Sequence, residues 1–488
     1  MTGNRLFCGI DLGTQGVRCM LVDERGAVVA GARAGLGEAG LSSGERFEQE
    51  PRHWLAALTP CVKEAMDDLE RRNMSQKAVA AVGVTSTSGT LCILDGKHKP
   101  LCRAIMYSDS RSREEAEMVQ ESGSELTRTL GYRFKPSFAL PKILWLKSHW
   151  PKLFEEARLF VSPTDFVIGW LTGNWGNTDQ TNALKYGYHL IEDCWPGFIE
   201  DSLGIPTEKL PRVVTTGDKV GSVLPERAQE LGLPAETPVA AGLTDGCAAQ
   251  VSSGAVNPGD FNTTIGTTLV IKGVTEELLI DPLGRIYCHR HPKGWWLPGG
   301  ASNTGAECLA RDFGDEETRV RSGRALSVSP TPLVAYPLMR NGERFPFVSP
   351  EAESFLLGEP ESRDELFAAY LEGVACLERL AFETLEHMGA ALQDRVFSAG
   401  GGAQSPSWRQ IRADTLQKRV LKPRVTGAAM GAAIVAAAME RYEDIPQAAE
   451  QMVTIESEQP PRPEWAEAYE AKYREFLAEL RRRGYLNE

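Results

Sequence analysis

The chain holds no CxxC pair and no GxxxxGK loop. The first absence removes the usual support for zinc-ribbon and thioredoxin-type readings. The second excludes an ordinary P-loop. Basic charge is in deficit: 53 Lys and Arg stand against 66 Asp and Glu, a formal net charge of −13. That balance argues against broad, non-specific nucleic-acid binding. Long apolar runs are missing too. The longest small-apolar stretch, Gly427–Met439, is too short to span a bilayer and predicts a buried helix. The N-terminus turns polar at Asp11 after a short apolar run, without the pattern of an export signal. Ten cysteines in 488 residues fall far short of a disulfide scaffold and predict reduced, mostly buried thiols in a cytoplasmic protein with no membrane partner. What remains, 42% apolar and 24% charged, is the composition of a soluble globular chain. At roughly 150 residues per domain, the length predicts two or three domains.

Glycine organises the beginning of the chain. Arg5–Asp11 reads as a strand, LGTQG as a tight turn, and Val17–Asp23 as a returning strand. Glu24–Gly26 turns the chain again into a third strand, AVVAGARA. A helix is expected over Pro51–Arg72, with Pro51 in its first turn and apolar residues at helical spacing. Buried strands follow at AVAAVGVTS and around LCILD, and this helix–strand alternation predicts an α/β protein. Near mid-chain, Phe261–Gly273 repeats the strand, Gly/Thr turn, strand pattern, which suggests two similarly built halves. Ala255–Gly259 reads as a loop. Helix formers over Glu365–Met388 lead into Val396–Trp408, and Arg462–Glu488 reads as an amphipathic helix.

Several of these turns can carry chemistry. Asp11 ends a strand directly before LGTQG. A carboxylate there, beside backbone N–H groups freed by glycine, suits a Mg²⁺ with the turn cradling phosphate oxygens. The alternative is an Asp that simply starts a turn, and the residues by themselves favour it. The TTIGTT turn offers the same backbone donors plus the hydroxyls of Thr263, Thr264, Thr267 and Thr268. In AAGLTDGCAAQVSSGA, Asp245 follows an apolar strand and precedes small residues that can begin a helix. Spacing alone favours a helix N-cap there. The alternative is a general base that takes a proton from an attacking hydroxyl. In SAGGGAQSPSW, Gly400, Gly401 and Gly402 serve either a close approach to a flat ligand such as adenine or a tight strand-to-helix turn. GLGEAG (Gly35–Gly40) matches a dinucleotide fingerprint by chance, since neither the helix nor the acidic partner follows. His289 and His291 lack a third metal ligand.

Taken in order, GIDLGTQGVRCMLVD, GLTDGCAAQVSSGA, FNTTIGTTLVIKG, GGASNTGAECL and SAGGGAQSPSWRQIRAD resemble the motifs of the FGGY carbohydrate kinases, from about Leu6 to Ala438. The resemblance implies a two-lobed α/β ATPase fold of the actin-like and hexokinase-like type, with a cleft between the lobes. It further implies phosphorylation of a sugar or polyol that depends on ATP and Mg²⁺. The first lobe would span residues 1–250 and carry the sugar site. The second would span 251–488 and bind nucleotide, its last helices able to pack back on the first lobe. By this match Asp245 is the catalytic base, Asp11 the phosphate-turn and metal-binding aspartate, and Ser88 binds the sugar with Asp11 and Asp245. Nucleotide contacts fall on Gly13, Thr14, Gly266, Thr267, Gly305, Gly401, Gly402, Ser405 and Trp408.

Many xylulokinases carry Gln-Met-His where this chain reads TSTSGT (Thr85–Thr90). TSGT, TDQTNALKYGY, GGASNTG and YPLMRNGERFPF instead resemble the plant and cyanobacterial D-ribulokinase group, whereas YSDSR (Tyr107–Arg111) departs from both. The expectation is therefore a pentulose kinase acting on D-ribulose, with D-xylulose or a polyol as the alternative, in a monomer or a homodimer. A filament-forming or chaperone ATPase of the same fold is the rival from another class. The TDG motif at Asp245 and the lack of a separate peptide-binding domain argue against it.

Overall fold

The computed structural model describes residues 5–37 and 40–486, so Glu38 and Ala39 of the GLGEAG run lie outside the described residues. The chain forms two compact units. The first comprises Met1–Gly254, His289–Gly294 and Gly427–Val453; the second comprises Ala255–Cys288, Trp295–Thr426 and Thr454–Glu488.

In the first unit Leu6–Leu12 is buried at every position. It pairs antiparallel with Gly16–Asp23, which pairs antiparallel with Val28–Gly35. Its other edge runs parallel to Val79–Ser86, followed by parallel Pro238–Ala240 and antiparallel Lys219–Ser222. Strands covered on both faces read as continuous apolar runs, which is why LFCGIDL and VAAVGVTS do not alternate. The helix Pro51–Arg71 links the antiparallel strands to the parallel one and buries Trp54, Leu58, Cys61, Val62, Ala65, Met66 and Leu69 at helical spacing. The helix Ala428–Glu440 is buried, as its composition predicts, and lies against the strands Leu6–Leu12 and Val79–Ser86. Glycine permits that approach: a Cβ on Gly9 would lie 1.9 Å from the Ala429 carbonyl oxygen, and one on Gly83 2.0 Å from that of Ala432.

The second unit repeats the plan. Phe261–Ile265 pairs antiparallel with Leu269–Gly273, which pairs antiparallel with Trp296–Ala301. On the other side come parallel Arg395–Ala399, parallel Arg419–Pro423 and antiparallel Ile455–Gln459. The order of strand directions matches that of the first unit, which gives the two glycine hairpins a common structural place. The helix Arg363–His387 starts at Ser362, whose side chain accepts from the Glu365 N–H. The last helix, Ala466–Arg482, packs Tyr473, Phe476 and Leu480 with Tyr336, Phe355 and Leu377.

All ten cysteines are free, and only Cys102 and Cys194 escape full burial. Burial pushes the Cys288 thiol up to about 12, so it stays protonated and unreactive. Among the described residues no helix is long and apolar enough to cross a membrane.

Candidate active site

The first unit gathers its candidate residues at the carboxyl ends of its parallel strands, where ligands of open α/β sheets bind. Asp11 occupies the end of Leu6–Leu12 and is only 6% exposed. The turn that follows closes through Gly13 N–H to the Gly16 carbonyl at 2.9 Å. Thr14 is held from behind: Gln49 Nε2 donates to its carbonyl at 2.8 Å, and Gln49 Oε1 accepts from Trp54 Nε1 at 2.9 Å.

The Asp11 carboxyl is pushed up to about 6, first by burial and then by the charge of Asp245, with Arg18 opposing. The structure therefore makes Asp11 and Asp245 electrostatic neighbours, although they lie far apart in sequence. Asp245 is not the helix cap that its spacing favours. The helix Asp245–Ser253 takes Thr244 as its N-cap, and the Asp245 Oδ1 accepts from the Gly246 N–H at 2.7 Å. The reason is local: Leu243–Thr244 continues as a short strand parallel to Thr85–Ser86, so the chain stays extended through Thr244. Thr85 Oγ1 bonds the Leu243 carbonyl at 2.8 Å, and Thr181 Oγ1 accepts from the Thr244 N–H at 2.9 Å. Residues of TSTSGT and TDQTN thus fix the approach to Asp245.

Ser88 follows the same strand end. Its Oγ is buried and has no hydrogen-bond partner among the described residues, an orphaned hydroxyl that a polyhydroxylated ligand would satisfy. Lys185 Nζ donates to the Ser88 carbonyl and Lys142 Nζ to that of Gly89, each at 3.2 Å. Burial holds the Lys142 ammonium well below its usual range. In YSDSR, Arg111 binds Asp109 and Glu48, both at 2.6 Å, and its guanidinium lies 4.9 Å from the Trp145 ring centroid. Asp109 also accepts from the Phe47 N–H at 2.6 Å, so this segment braces the strand that carries Gln49.

The second unit collects its candidates at the equivalent strand ends. Gly266 and Thr267 form the turn after Phe261–Ile265, closed by Gly266 N–H to the Thr268 carbonyl at 3.0 Å. Gly305 packs on that turn: a Cβ there would lie 2.6 Å from the Thr268 Cα. Gly400 adopts φ +80°, and Gly401 and Gly402 begin a short 3₁₀ segment beside Ile265. Ser405 caps the helix Pro406–Leu416, its Oγ accepting from the Trp408 N–H at 3.2 Å. The Trp408 ring is buried, and its Nε1 donates to the Leu371 carbonyl at 3.1 Å, so it anchors the helix under the glycine turn.

Sequence reasoning missed the tie of Gln49 to Thr14, 35 residues away, and that of Arg111 to Glu48, 63 residues away. Among the described residues no three His, Cys, Asp or Glu side chains converge as a metal site. His291 is buried, and its imidazole is pushed down to about 4 by desolvation. Asp11 suits a different ion. Mg²⁺ keeps most of its waters and takes one or two carboxylates plus substrate phosphate oxygens, and this donor set fits that habit.

Paired α/β units, each ending its strands in a glycine turn, define a two-domain ATPase fold of the actin–hexokinase superfamily. Xylulose kinase from Rhodospirillum rubrum shares it with TM-score 0.86 and 26% identity, covering 98% of each chain. Plasmodium falciparum glycerol kinase with ADP shares the fold with TM-score 0.85 and 17% identity, over 100% of this chain and 99% of that one. In sequence, the xylulose kinase of Bacillus subtilis is 29% identical over 91% of this chain and 90% of its own length. The gluconokinase of the same organism is 24% identical over 85% of this chain and 83% of its own. The models for the N-terminal and C-terminal domains of the FGGY family of carbohydrate kinases match residues 6–252 and 262–440. The chain belongs to that family and is an ATP-dependent carbohydrate kinase. The filament and chaperone reading is set aside.

Proposed function

We propose that the chain transfers the γ-phosphoryl group of ATP to a hydroxyl of a pentulose, with D-xylulose as the first candidate. The observation that carries the reading is the placement of Asp11 and Asp245 at neighbouring strand ends, Asp11 beside Thr85 and Thr85 beside Leu243, with the charge of Asp245 raising the Asp11 carboxyl. A sugar hydroxyl is a poor nucleophile at neutral pH, so its proton needs an acceptor within hydrogen-bond reach, and Asp245 takes that role. The strand that leads into it, Leu243–Thr244, is fixed by Thr85 and Thr181, which keeps the carboxylate in place as the hydroxyl approaches. Ser88 and Asp11 orient the sugar. Nucleotide contacts are assigned to Gly13 and Thr14 in the first unit and to Gly266, Thr267, Gly305, Gly401, Gly402, Ser405 and Trp408 in the second. Asp11 would hold Mg²⁺, which when bound supplies neutralisation of phosphate charge.

The choice of sugar rests on relatives: several curated kinases similar along most of this chain carry the name xylulose kinase. A D-ribulose preference is the second reading, favoured by Ser88, whose unsatisfied hydroxyl stands in TSTSGT where many xylulokinases carry Gln-Met-His. Coupled ADP release with Mg-ATP and a panel of D-xylulose, D-ribulose, gluconate and polyols tests both. Turnover with a pentulose that collapses in Asp245→Ala is the expected result. A gluconate or polyol preference would overturn the substrate class, and unchanged turnover in Asp245→Ala would overturn the base.

A further inference from the structure

Glu343 lies in the second unit, 3% exposed, and both of its carboxylate oxygens are crowded with donors. Oε2 accepts from Ser302 Oγ at 2.7 Å, Tyr336 OH at 2.9 Å and Thr304 Oγ1 at 3.1 Å. Oε1 accepts from the backbone N–H of Asn303 at 2.7 Å and of Arg344 at 2.9 Å. Asn303 Nδ2 adds a bond to the Gly342 carbonyl at 2.9 Å. The two backbone N–H groups on Oε1 can only donate, and three hydroxyls reach Oε2, so a carboxylate accepts from all five, whereas an amide forces a hydroxyl that meets its NH2 to turn round and accept.

The gripped segment is Ser302–Thr304, and it ends where Gly305 begins. Its opposite edge is zipped to the phosphate turn. Ser302 N–H donates to the Leu269 carbonyl at 2.9 Å, Leu269 N–H to that of Thr304 at 2.8 Å, and Ala306 N–H to that of Gly266 at 2.8 Å. No slack exists between the two, because Gly305 already lies against the Thr268 backbone. A displacement at Glu343 therefore passes to the Gly266–Thr268 turn through two short backbone steps.

We propose that Glu343 is a positioning residue for the nucleotide. It touches no ligand; it fixes Ser302–Gly305, and through it the attitude of the turn whose N–H groups face the phosphates. The inference rests on the assignment of Gly266 and Thr267 to the nucleotide end. Misplacing such donors by about 1 Å costs on the order of 10²-fold in the extreme. Glu343→Gln should accordingly raise the ADP Kd and the KM for ATP about tenfold or more, while the KM for sugar stays within twofold. Tyr336→Phe removes one donor, leaves the carboxylate in place, and should give a smaller rise of the same kind.

The test is calorimetric ADP binding and steady-state kinetics on the full chain for Glu343→Gln, Tyr336→Phe and Gly266→Val. The last adds bulk on the ligand side of the turn, where a Cβ meets nothing within 4 Å. Loss of ADP affinity in Gly266→Val, with graded loss in the other two and an unmoved sugar KM, is the expected pattern. Gly266→Val impaired while Glu343→Gln and Tyr336→Phe bind ADP normally overturns the role of Glu343. Normal ADP binding in Gly266→Val overturns the nucleotide assignment itself, and the proposal with it. Should Glu343→Gln not fold, Tyr336→Phe decides: an equal rise in both substrate KM values, or none, overturns the proposal.

Discussion

Asp11 and Arg18 are paired residues across the first hairpin, and Arg18 Nη1 lies 3.6 Å from Asp11 Oδ2. The Arg18 side chain is 66% exposed, so much of its field is lost to water, whereas the carboxylate is buried beside Asp245. The folded state therefore favours the protonated carboxyl, at about 6 against an ordinary 3.8. A raised carboxyl pKa contributes stability below the unfolded value and loses it as pH rises through the folded one. Above neutrality the ligand-free protein bears a net cost, on the order of 1–3 kcal/mol, for keeping this charge. Asp11→Asn should then raise the ligand-free Tm at pH 7.5 while abolishing sugar-dependent ADP release. A lower Tm in the variant would show that the carboxylate is a structural asset and not a functional expense.

For Asp245 the useful variant is Asn. Its side-chain oxygen can still accept from the Gly246 N–H, so the helix start survives while the proton acceptor is lost. Turnover should fall by about 10²–10⁴-fold with little change in sugar KM, the signature of a group that acts in the transition state. A rise in KM with kcat unchanged would make Asp245 a binding residue instead.

How far the sequence speaks for this protein depends on how local each signal is. The two hairpins were legible because glycine and threonine interrupt β-branched runs within a dozen residues. Asp11 stood out because an apolar strand delivers it to a turn. The position of Asp245 was half legible: the helix start was visible, but the short strand through Thr244 forms only by pairing with Thr85 and Ser86. Gln49 and Glu343 were not legible, since they act on Thr14 and Ser302, 35 and 41 residues away, and nothing in their own neighbourhoods marks those partners. Likewise, composition identified Gly427–Met439 as a buried helix, but only tertiary packing assigns the helix Ala428–Glu440 to the first unit.

Asp165 carries a pH dependence that is separable from catalysis. It sits at the third position of the helix Pro163–Thr172, where its Oδ2 accepts from the Ser162 N–H at 2.9 Å in a capping box. Burial, and then the neighbouring charge of Asp179, push its carboxyl up to about 8. The sign is again that of a raised acid: full stability below the unfolded value near 4, lost as pH climbs through about 8. Asp165→Asn retains an acceptor for Ser162 without the charge. Thermal melts from pH 5 to 9 should show the wild type losing stability on the alkaline side, by a few kcal/mol or less, along a steeper slope than the variant. Parallel slopes would refute the assignment.

Beneath the glycine turn of the second unit, Arg412 and Glu378 form a bidentate ion pair with both side chains fully buried, Nε to Oε2 at 2.6 Å and Nη2 to Oε1 at 2.7 Å. Arg412 also bonds the Ser398 hydroxyl, which ties the helices Arg363–His387 and Pro406–Leu416 to the strand that delivers Gly400. Removing one partner strands a desolvated charge, so Arg412→Met should lose about 3–5 kcal/mol in urea unfolding. Removing both removes the desolvation penalty as well, and Arg412→Met with Glu378→Met should recover most of that loss. The double variant then isolates what the pair does beyond stability. With Ser398 released, the strand end keeps its backbone pairing to Thr263 and Thr264 but loses its tie to the helices, and the Gly400–Gly402 turn is free to drift from Ile265. A double variant that is as stable as the wild type yet binds ADP more weakly would assign the pair to placing that turn. One that is equally stable and binds normally would leave it a purely structural clamp.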